Sequence, residues 1–332
     1  MRLSLTLWRL SMIKSLIWIL LLGVVILSPF VGAVSLHVED ILNSDTLSSQ
    51  VFFDLRIPRV LFAFFAGVIL SLSGLLFQTL FRNALMTPYT LGISSGAVLG
   101  AGIAIKLGLG TLFFGVAAIS IFGFMGAMFT VLLLIYLSQF LKGSQKESLL
   151  LLGIALSLFY TSALMIVFYL GTSIQNDMLI RFTMGSLSII GWTHPITIGV
   201  ITLILTLFIY MYRYELQLLS ISESQAELKG VDTKRVTLLL LIISSLGIGT
   251  LVSISGPIGF IGLIVPHIVA KLYPVPVNRR ILKTALFGGF FLVVCDTITR
   301  VLQTQSELPI GIVTALIGGP FFIYLIINRG SK

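Results

Sequence analysis

Asp296 is the residue with the clearest capacity for chemistry, because it is a carboxylate well inside an apolar segment. A carboxylate at membrane depth can relay protons, and such residues mark ion pathways in transporters. Arg300 follows four residues later, which is the spacing of an ion pair on one face of a helix. The spacing favours a carboxylate neutralised by Arg300, with a proton-coupled secondary transporter as the alternative.

Catalytic and metal-binding patterns are not found in the sequence. The histidines His37, His194 and His267 lie on separate segments, and there is no H-E-x-x-H motif. A G-x-x-x-x-G-K-[ST] phosphate loop is also absent, because no Gly-Lys dipeptide occurs. We therefore expect no enzyme activity, cofactor or metal site in this chain. If ATP drives the protein, a separate subunit must bind it together with Mg²⁺.

The polar segment from Glu215 to Arg235 interrupts an otherwise apolar sequence. It is typical of an amphipathic helix displayed at the cytoplasmic face of a membrane. We predict one helix over 216–230, in which Ser220 caps the first N–H groups and Glu223 reaches back in a capping box. Gly230 is the residue expected just past the end of a helix.

Composition assigns the chain to the integral membrane proteins. Hydrophobic residues make up 57% of it, charged residues 10%, and the mean hydropathy is +1.10. Because a spanning helix takes roughly 20 apolar residues, we predict an all-α domain over 1–332 with about ten transmembrane helices. These are 12–34, 57–81, 90–106, 112–139, 148–170, 193–212, 236–254, 258–270, 282–302 and 309–328.

The distribution of positive charge predicts the orientation. With both termini in the cytoplasm, sixteen of the 21 Lys and Arg residues lie inside, as the positive-inside rule expects. The five outside are Arg56, Arg59, Lys106, Arg181 and Arg300. The net charge of +9 then follows from topology, so no nucleic-acid partner is needed to explain it.

Two of the predicted helices are short, and we expect discontinuous helices near 90–106 and 258–270. Gly92, Gly96 and Gly100 recur every four residues, which lets neighbouring helices approach closely in lipid. Gly256 and Pro257 should break the helix between the seventh and eighth spans. Broken backbone at membrane depth is tolerated only against protein or a water-filled cavity.

Arg56 and Arg59 lie three residues apart at the predicted outer start of the second span. Cations there oppose both the positive-inside tendency and the helix dipole. We therefore expect a rim of charge that meets an external partner. The alternative is that both side chains snorkel to lipid head groups.

Two long motifs resemble the permease subunits of the ABC importers for iron chelates, haem and vitamin B12. The first runs through Arg56-Ile57-Pro58-Arg59, Arg82-Asn83-Ala84-Leu85 and Pro88-Tyr89-Thr90-Leu91-Gly92. The second runs through Gly256-Pro257-Ile258-Gly259-Phe260, Pro266-His267, Asp296, Arg300 and Gly318-Gly319-Pro320-Phe321. The resemblance covers residues from about 50 to the end of the chain.

The resemblance implies a type II importer in a bacterial cytoplasmic (inner) membrane. Its parts would be two permease copies or close paralogues, two ATPase subunits and an external binding protein. It implies that Arg56, Arg59 and Arg300 dock the binding protein. The implied ATPase-coupling residues are Ser220, Glu223, Ala226, Glu227, Leu228, Lys229 and Gly230, with Lys229 where the family usually has Leu. The implied gate or pathway residues are Lys146, Glu147, Ser148, Gly256, Pro257, Pro266 and His267.

The substrate class follows from the resemblance alone. An iron–siderophore complex or haem is the first expectation, with vitamin B12 and oxyanions such as molybdate as the alternatives. The pathway needs no dedicated ligand set, because the binding protein selects the substrate.

Overall fold

The computed structural model describes residues 16–32, 46–110, 117–140, 145–302 and 307–329. Every regular element of these residues is a helix. The helices are α1 Leu16–Phe30, α2 Leu47–Leu80, α3 Ile93–Lys106, α4 Ala118–Ser138, α5 Gln145–Tyr169, α6 Ser173–Met184, α7 Thr193–Met211, α8 Arg213–Ile221, α9 Glu223–Leu228, α10 Thr233–Ser255, α11 Ile261–Leu272, α12 Val277–Val301 and α13 Ile310–Arg329.

Six of these helices are long and apolar enough to cross a membrane, namely α2, α4, α5, α7, α10 and α12. Four shorter apolar helices, α1, α3, α11 and α13, accompany them. Each of these ten helices overlaps one of the ten predicted segments. The chain is therefore an all-helical, multi-pass membrane protein.

Helix α2 begins ten residues earlier than the predicted start at 57, which is a correction. A start at 57 would place Pro58 in the first turn, where proline is favoured. Instead the backbone passes through Pro58, and the preceding residues Val51–Arg56 form a π-helix. A π-helical turn accommodates a missing hydrogen bond within a helix. Thr46 caps the helix just before Leu47, because its side chain accepts a hydrogen bond from the Ser49 N–H.

Helix α6 lies where the sequence suggested only a loop between the fifth and sixth spans. Thr172 caps it, and Gln175 completes a capping box by bonding back to the Thr172 N–H. The Gln175 side-chain amide also donates to the carbonyl oxygens of Ile105 and Lys106 at the end of α3. The Thr-x-x-Gln spacing was the signal that could have located this helix.

The predicted break between the seventh and eighth spans is confirmed. Helix α10 ends at Ser255, and Gly256 has a φ of +67°, in the left-handed region that favours glycine. A side chain at Gly256 would overlap the carbonyl oxygen of Phe182. The Ser186 N–H donates to the Ser255 carbonyl oxygen at 2.7 Å. The broken backbone is therefore packed against the end of α6, as irregular backbone at membrane depth requires.

Small residues bring the central helices into close contact. Gly96 and Gly100 of α3 face the α4 backbone, so the predicted close packing of this helix is confirmed there. Gly67 of α2 lies against Gly288 of α12, and Gly74 of α2 lies against Gly262 of α11. Helix α2 lies at the centre of the subunit. Of its most apolar 18-residue stretch 83% is buried, whereas only 11% of the corresponding stretch of α5 is buried.

Candidate docking and coupling sites

A cluster of four charged residues links α2, at Arg59, to the end of α12. Asp296 lies at its centre, fully buried, with Oδ1 2.9 Å from Arg59 Nε and Oδ2 3.0 Å from Arg300 Nε. Arg59 Nη1 also lies 3.1 Å from Oε1 of the half-exposed Glu307. We call Arg59, Asp296, Arg300 and Glu307 the ion cluster. Its two arginines and two carboxylates balance in charge.

The Asp296–Arg300 pair confirms the interpretation drawn from the four-residue spacing. The second partner, Arg59, had no local signal because it is 237 residues away in the sequence. Both carboxylate oxygens of Asp296 lie beside a cation. This geometry is that of a structural ion pair and favours it over the proton-relay alternative.

Arg300 and Arg56 also donate hydrogen bonds to the end of α1. Arg300 Nη1 donates to the carbonyl oxygens of Ser28 and Val31, both at 2.8 Å. Arg56 Nη1 donates to the Pro29 carbonyl oxygen at 3.1 Å. These bonds satisfy carbonyl groups that a helix end leaves without intrahelical partners. The two side chains therefore hold α1 against α2 and α12.

The three arginines predicted to dock a binding protein are mostly buried in the single subunit. Arg56 and Arg300 are 7% and 5% exposed, and the Arg59 side chain is 12% exposed. Arg56 and Arg59 have different contacts, although three residues separate them. The reason is that buried cations need partners, and α1 and α12 supply those partners here. Of the three, Arg59 extends furthest toward solvent, through its exposed hydrogen bonds to Ser188 and Glu307.

The predicted single helix over 216–230 is two helices, α8 and α9, which is a correction. Ser222, in extended conformation, separates them, and its side chain accepts a hydrogen bond from the Gln225 N–H at 2.9 Å. Ser222 is therefore the cap. Ser220 lies inside α8 and donates to the Gln217 carbonyl oxygen, while Glu223 is the first residue of α9.

Gly230 ends α9 as predicted, with a φ of +81°. The Gly230 N–H bonds to the Glu227 carbonyl oxygen and the Val231 N–H bonds to that of Ala226. These two bonds form a Schellman motif. We call residues 213–230 the coupling segment.

The coupling segment has a buried side and an exposed side. Leu216, Leu219 and Ala226 are buried in the subunit. Leu228 is 88% exposed, and Lys229 is also exposed. The buried side anchors the segment to the subunit, and the exposed side is open to a partner.

The predicted gate residues lie in different surroundings. Gly256 and Pro257 are buried in the break between α10 and α11, and Pro266 is buried inside α11. His267 is half-buried, with Nδ1 2.9 Å from the Leu263 carbonyl oxygen. Ser148 is half-buried near the start of α5. The side chains of Lys146 and Glu147 lie outside the described residues, as does His37.

Phe260 is a further residue at the break that the sequence did not single out. Its φ is +66°, which is uncommon for a residue other than glycine. Its ring packs on Gly318 of α13. Backbone held in this region costs about 1–3 kcal/mol and clusters at functional sites.

Among the described residues, no group of three or more His, Cys, Asp or Glu side chains could hold a metal ion.

Residues 19–328 match the family model described as the FecCD transport family. The chain belongs to the FecCD transport family. The match covers nearly all of the sequence, including the ion cluster, the break and the coupling segment. The motif resemblance noted in the sequence is thereby confirmed.

Similar proteins from several organisms are named as ABC transporter permeases. The uncharacterized permease YvrB of Bacillus subtilis is 32% identical over 87% of this chain and 83% of its own length. The hemin transport system permease HmuU of Yersinia pestis is 31% identical over 95% of both chains. Other relatives are named as permeases for vitamin B12 or molybdate import. This chain is accordingly the permease subunit of an ABC importer, and such subunits transport rather than catalyse.

The fold is similar to a solved inward-facing ABC transporter that has been assigned provisionally to the metal-chelate type. The TM-score is 0.81, with 28% identity over 96% of this chain and 99% of the solved one. The FecCD permease described here therefore shares its helix arrangement over the full length of that subunit.

Proposed function

We propose that this FecCD permease moves a metal chelate, either an iron–siderophore complex or haem, across a bacterial cytoplasmic membrane. An external binding protein delivers the chelate, and separate subunits hydrolyse ATP. The observation that carries the proposal is the coupling segment, which is anchored by buried residues and exposes Leu228. The sequence has no phosphate-binding loop of its own, so ATP and Mg²⁺ belong to the partner.

The coupling segment is proposed to dock on an ATPase subunit. Residues 222–230 supply the contact, with Leu228 and Lys229 outermost. Leu216 and Leu219 are buried and hold α8 against the membrane helices. A movement of the ATPase subunit would therefore be transmitted to those helices. Lys229 replaces a leucine that is usual in the family, so the partner surface should carry a complementary carboxylate.

Docking of the binding protein is proposed around Arg59 of α2, on the outer side of the membrane. Arg59 is the contact residue, because its hydrogen bonds to Ser188 and Glu307 are solvent-exposed. Arg56 and Arg300 support it by holding the end of α1. An acidic group of the binding protein would then replace Glu307 as the ion-pair partner of Arg59.

The proposed topology has ten crossings with both termini in the cytoplasm and one permease domain over 1–332. Six long and four shorter apolar helices supply the crossings. Two permease copies, or one with a paralogue, would form the pathway. Helix α5 is the best candidate for the shared wall, because it is apolar yet largely exposed in the single subunit. Lipid covers the other outward-facing helices.

The gate and pathway are proposed around the break and the start of α5. Gly256, Pro257, Pro266 and His267 lie in or next to the discontinuous helices α10 and α11. Lys146, Glu147 and Ser148 would border the cytoplasmic opening. In transporters, discontinuous helices typically form the substrate site.

Vitamin B12 and molybdate stay as second candidates for the substrate. The vitamin B12 permease BtuC of Pectobacterium atrosepticum is 33% identical over 85% of this chain. The molybdate permease MolB of Haemophilus influenzae is 31% identical over 91% of it. Identity of this size does not rank the substrates. The test is the binding protein encoded beside this permease: its affinity for labelled haem, ferric siderophores, vitamin B12 and molybdate should be highest for an iron chelate.

A further inference from the structure

An open cavity of about 390 Å³ lies beside the coupling segment, with the exposed residues Glu223, Glu227 and Lys234 in its wall. It is bounded by α2, α3, α4, α5 and α10 and by residues of α9. Most of its wall is apolar, as at Phe77, Ile93, Leu134 and Leu241. We call this the inner cavity.

The size of the inner cavity suits a ligand. Ligand sites typically measure about 300–1,000 Å³, a range that includes this volume. An apolar wall requires that most of the occupant be apolar.

One end of the inner cavity carries opposite charges. Glu227 and Lys234 both line it there, and Glu227 Oε1 accepts a hydrogen bond from Thr233 Oγ1 at 2.9 Å. Glu223 adds a second carboxylate to the lining. Lys234 suits a phosphate, and the carboxylates suit an ammonium group that can donate hydrogen bonds. A purely anionic head group would face repulsion from the carboxylates.

The depth of the inner cavity corresponds to one leaflet of a membrane. Ser245 lies in the wall twelve residues after Thr233 on α10, which is about 18 Å along a helix. Half of the hydrocarbon core of a bilayer is about 15 Å thick. One acyl chain would therefore lie along the apolar wall, with its head group at the charged end.

We propose that the inner cavity binds one acyl chain of a phospholipid with a primary ammonium head group, phosphatidylethanolamine. The head group lies between Glu227 and Lys234. Because α9 and α10 both border the cavity, a bound lipid braces the coupling segment against the membrane helices. The bracing role rests on the proposed function, whereas lipid binding does not depend on it.

Native mass spectrometry of the full-length permease, with the subunits that co-purify, tests the proposal. The probes are dioleoyl phosphatidylethanolamine, phosphatidylcholine and phosphatidylglycerol. We expect one phosphatidylethanolamine per permease copy, retained about tenfold better than either of the others. Lys234→Glu should lower its retention about tenfold, and Ser245→Phe, which fills the deep end, should abolish it.

Arg235→Glu is the matched control, because Arg235 is exposed on the same helix and does not line the cavity. It should leave the retained lipid unchanged. Equal retention of all three lipids, or equal loss in Lys234→Glu and Arg235→Glu, would mean surface lipid only and would overturn the proposal. Lys234 is exposed, so its variant decides the outcome even if Ser245→Phe does not fold. The readout involves no transport, so a negative result leaves the importer function standing.

Discussion

Arg59 Nε lies 2.9 Å from Oδ1 of Asp296, across 237 residues of sequence. This contact connects the central helix α2 to the end of α12. Arg300 holds the other oxygen of the same carboxylate. The outer end of the subunit is therefore built around one buried carboxylate between two cations.

Asp296→Asn should strongly destabilise the permease, because it leaves two largely buried arginines without their shared anion. Removing one partner of a buried ion pair costs about 3–5 kcal/mol. Thermal unfolding in detergent measures the loss. Asp177→Asn is the control, because it breaks the exposed Asp177–Arg181 pair, and such pairs contribute about 0–1 kcal/mol. Equal unfolding temperatures for the two variants would show that the ion cluster is not structural.

Several features of the fold were predictable because their causes are local. Gly256 and Pro257 predicted the break after α10, and the spacing of Asp296 and Arg300 predicted their pairing. The cap at Ser222 was misplaced by two residues, because Ser220 offers the same chemistry and only the extended backbone at Ser222 distinguishes them. The partnership of Arg59 with Asp296 could not be predicted, since it depends on how α2 packs against α12. Burial of Arg56 by α1 depends on tertiary packing in the same way.

Glu307→Gln should strengthen docking of the external binding protein. In the subunit without its binding protein, Glu307 forms an ion pair with Arg59. The proposed acidic group of the binding protein must therefore displace Glu307. Because partly exposed pairs contribute up to about 1 kcal/mol, the dissociation constant should fall by up to about fivefold at low salt. Surface plasmon resonance at two ionic strengths measures this. Asp177→Asn is again the control, and weaker binding by Glu307→Gln would contradict the exchange of partners at Arg59.

Leu228→Glu should release the ATPase subunit while leaving the permease folded. The side chain is 88% exposed, so no buried contact is lost in the single subunit. The expected result is failed co-purification of the ATPase with an unchanged unfolding temperature. Ile190→Glu is the matched control, because Ile190 is 80% exposed outside the coupling segment. Retention of the ATPase by Leu228→Glu would remove this residue from the proposed contact.

Cysteine accessibility tests the proposed topology. Asp177→Cys should react with an impermeant maleimide added to intact cells whose outer barrier is opened, and Ser224→Cys should react only after the cytoplasmic side is exposed. Both positions are on exposed surface. The native Cys295 is buried and should give little background. The reverse labelling pattern would invert the orientation.

ATP-dependent uptake into proteoliposomes tests the central proposal most directly. The permease is reconstituted with its ATPase subunit and loaded binding protein, and labelled haem or ferric siderophore is supplied outside. The account predicts accumulation that requires both partners and internal ATP with Mg²⁺, and that Leu228→Glu abolishes. Uptake of the same chelate by the permease alone, driven by a proton gradient without ATP, would contradict it.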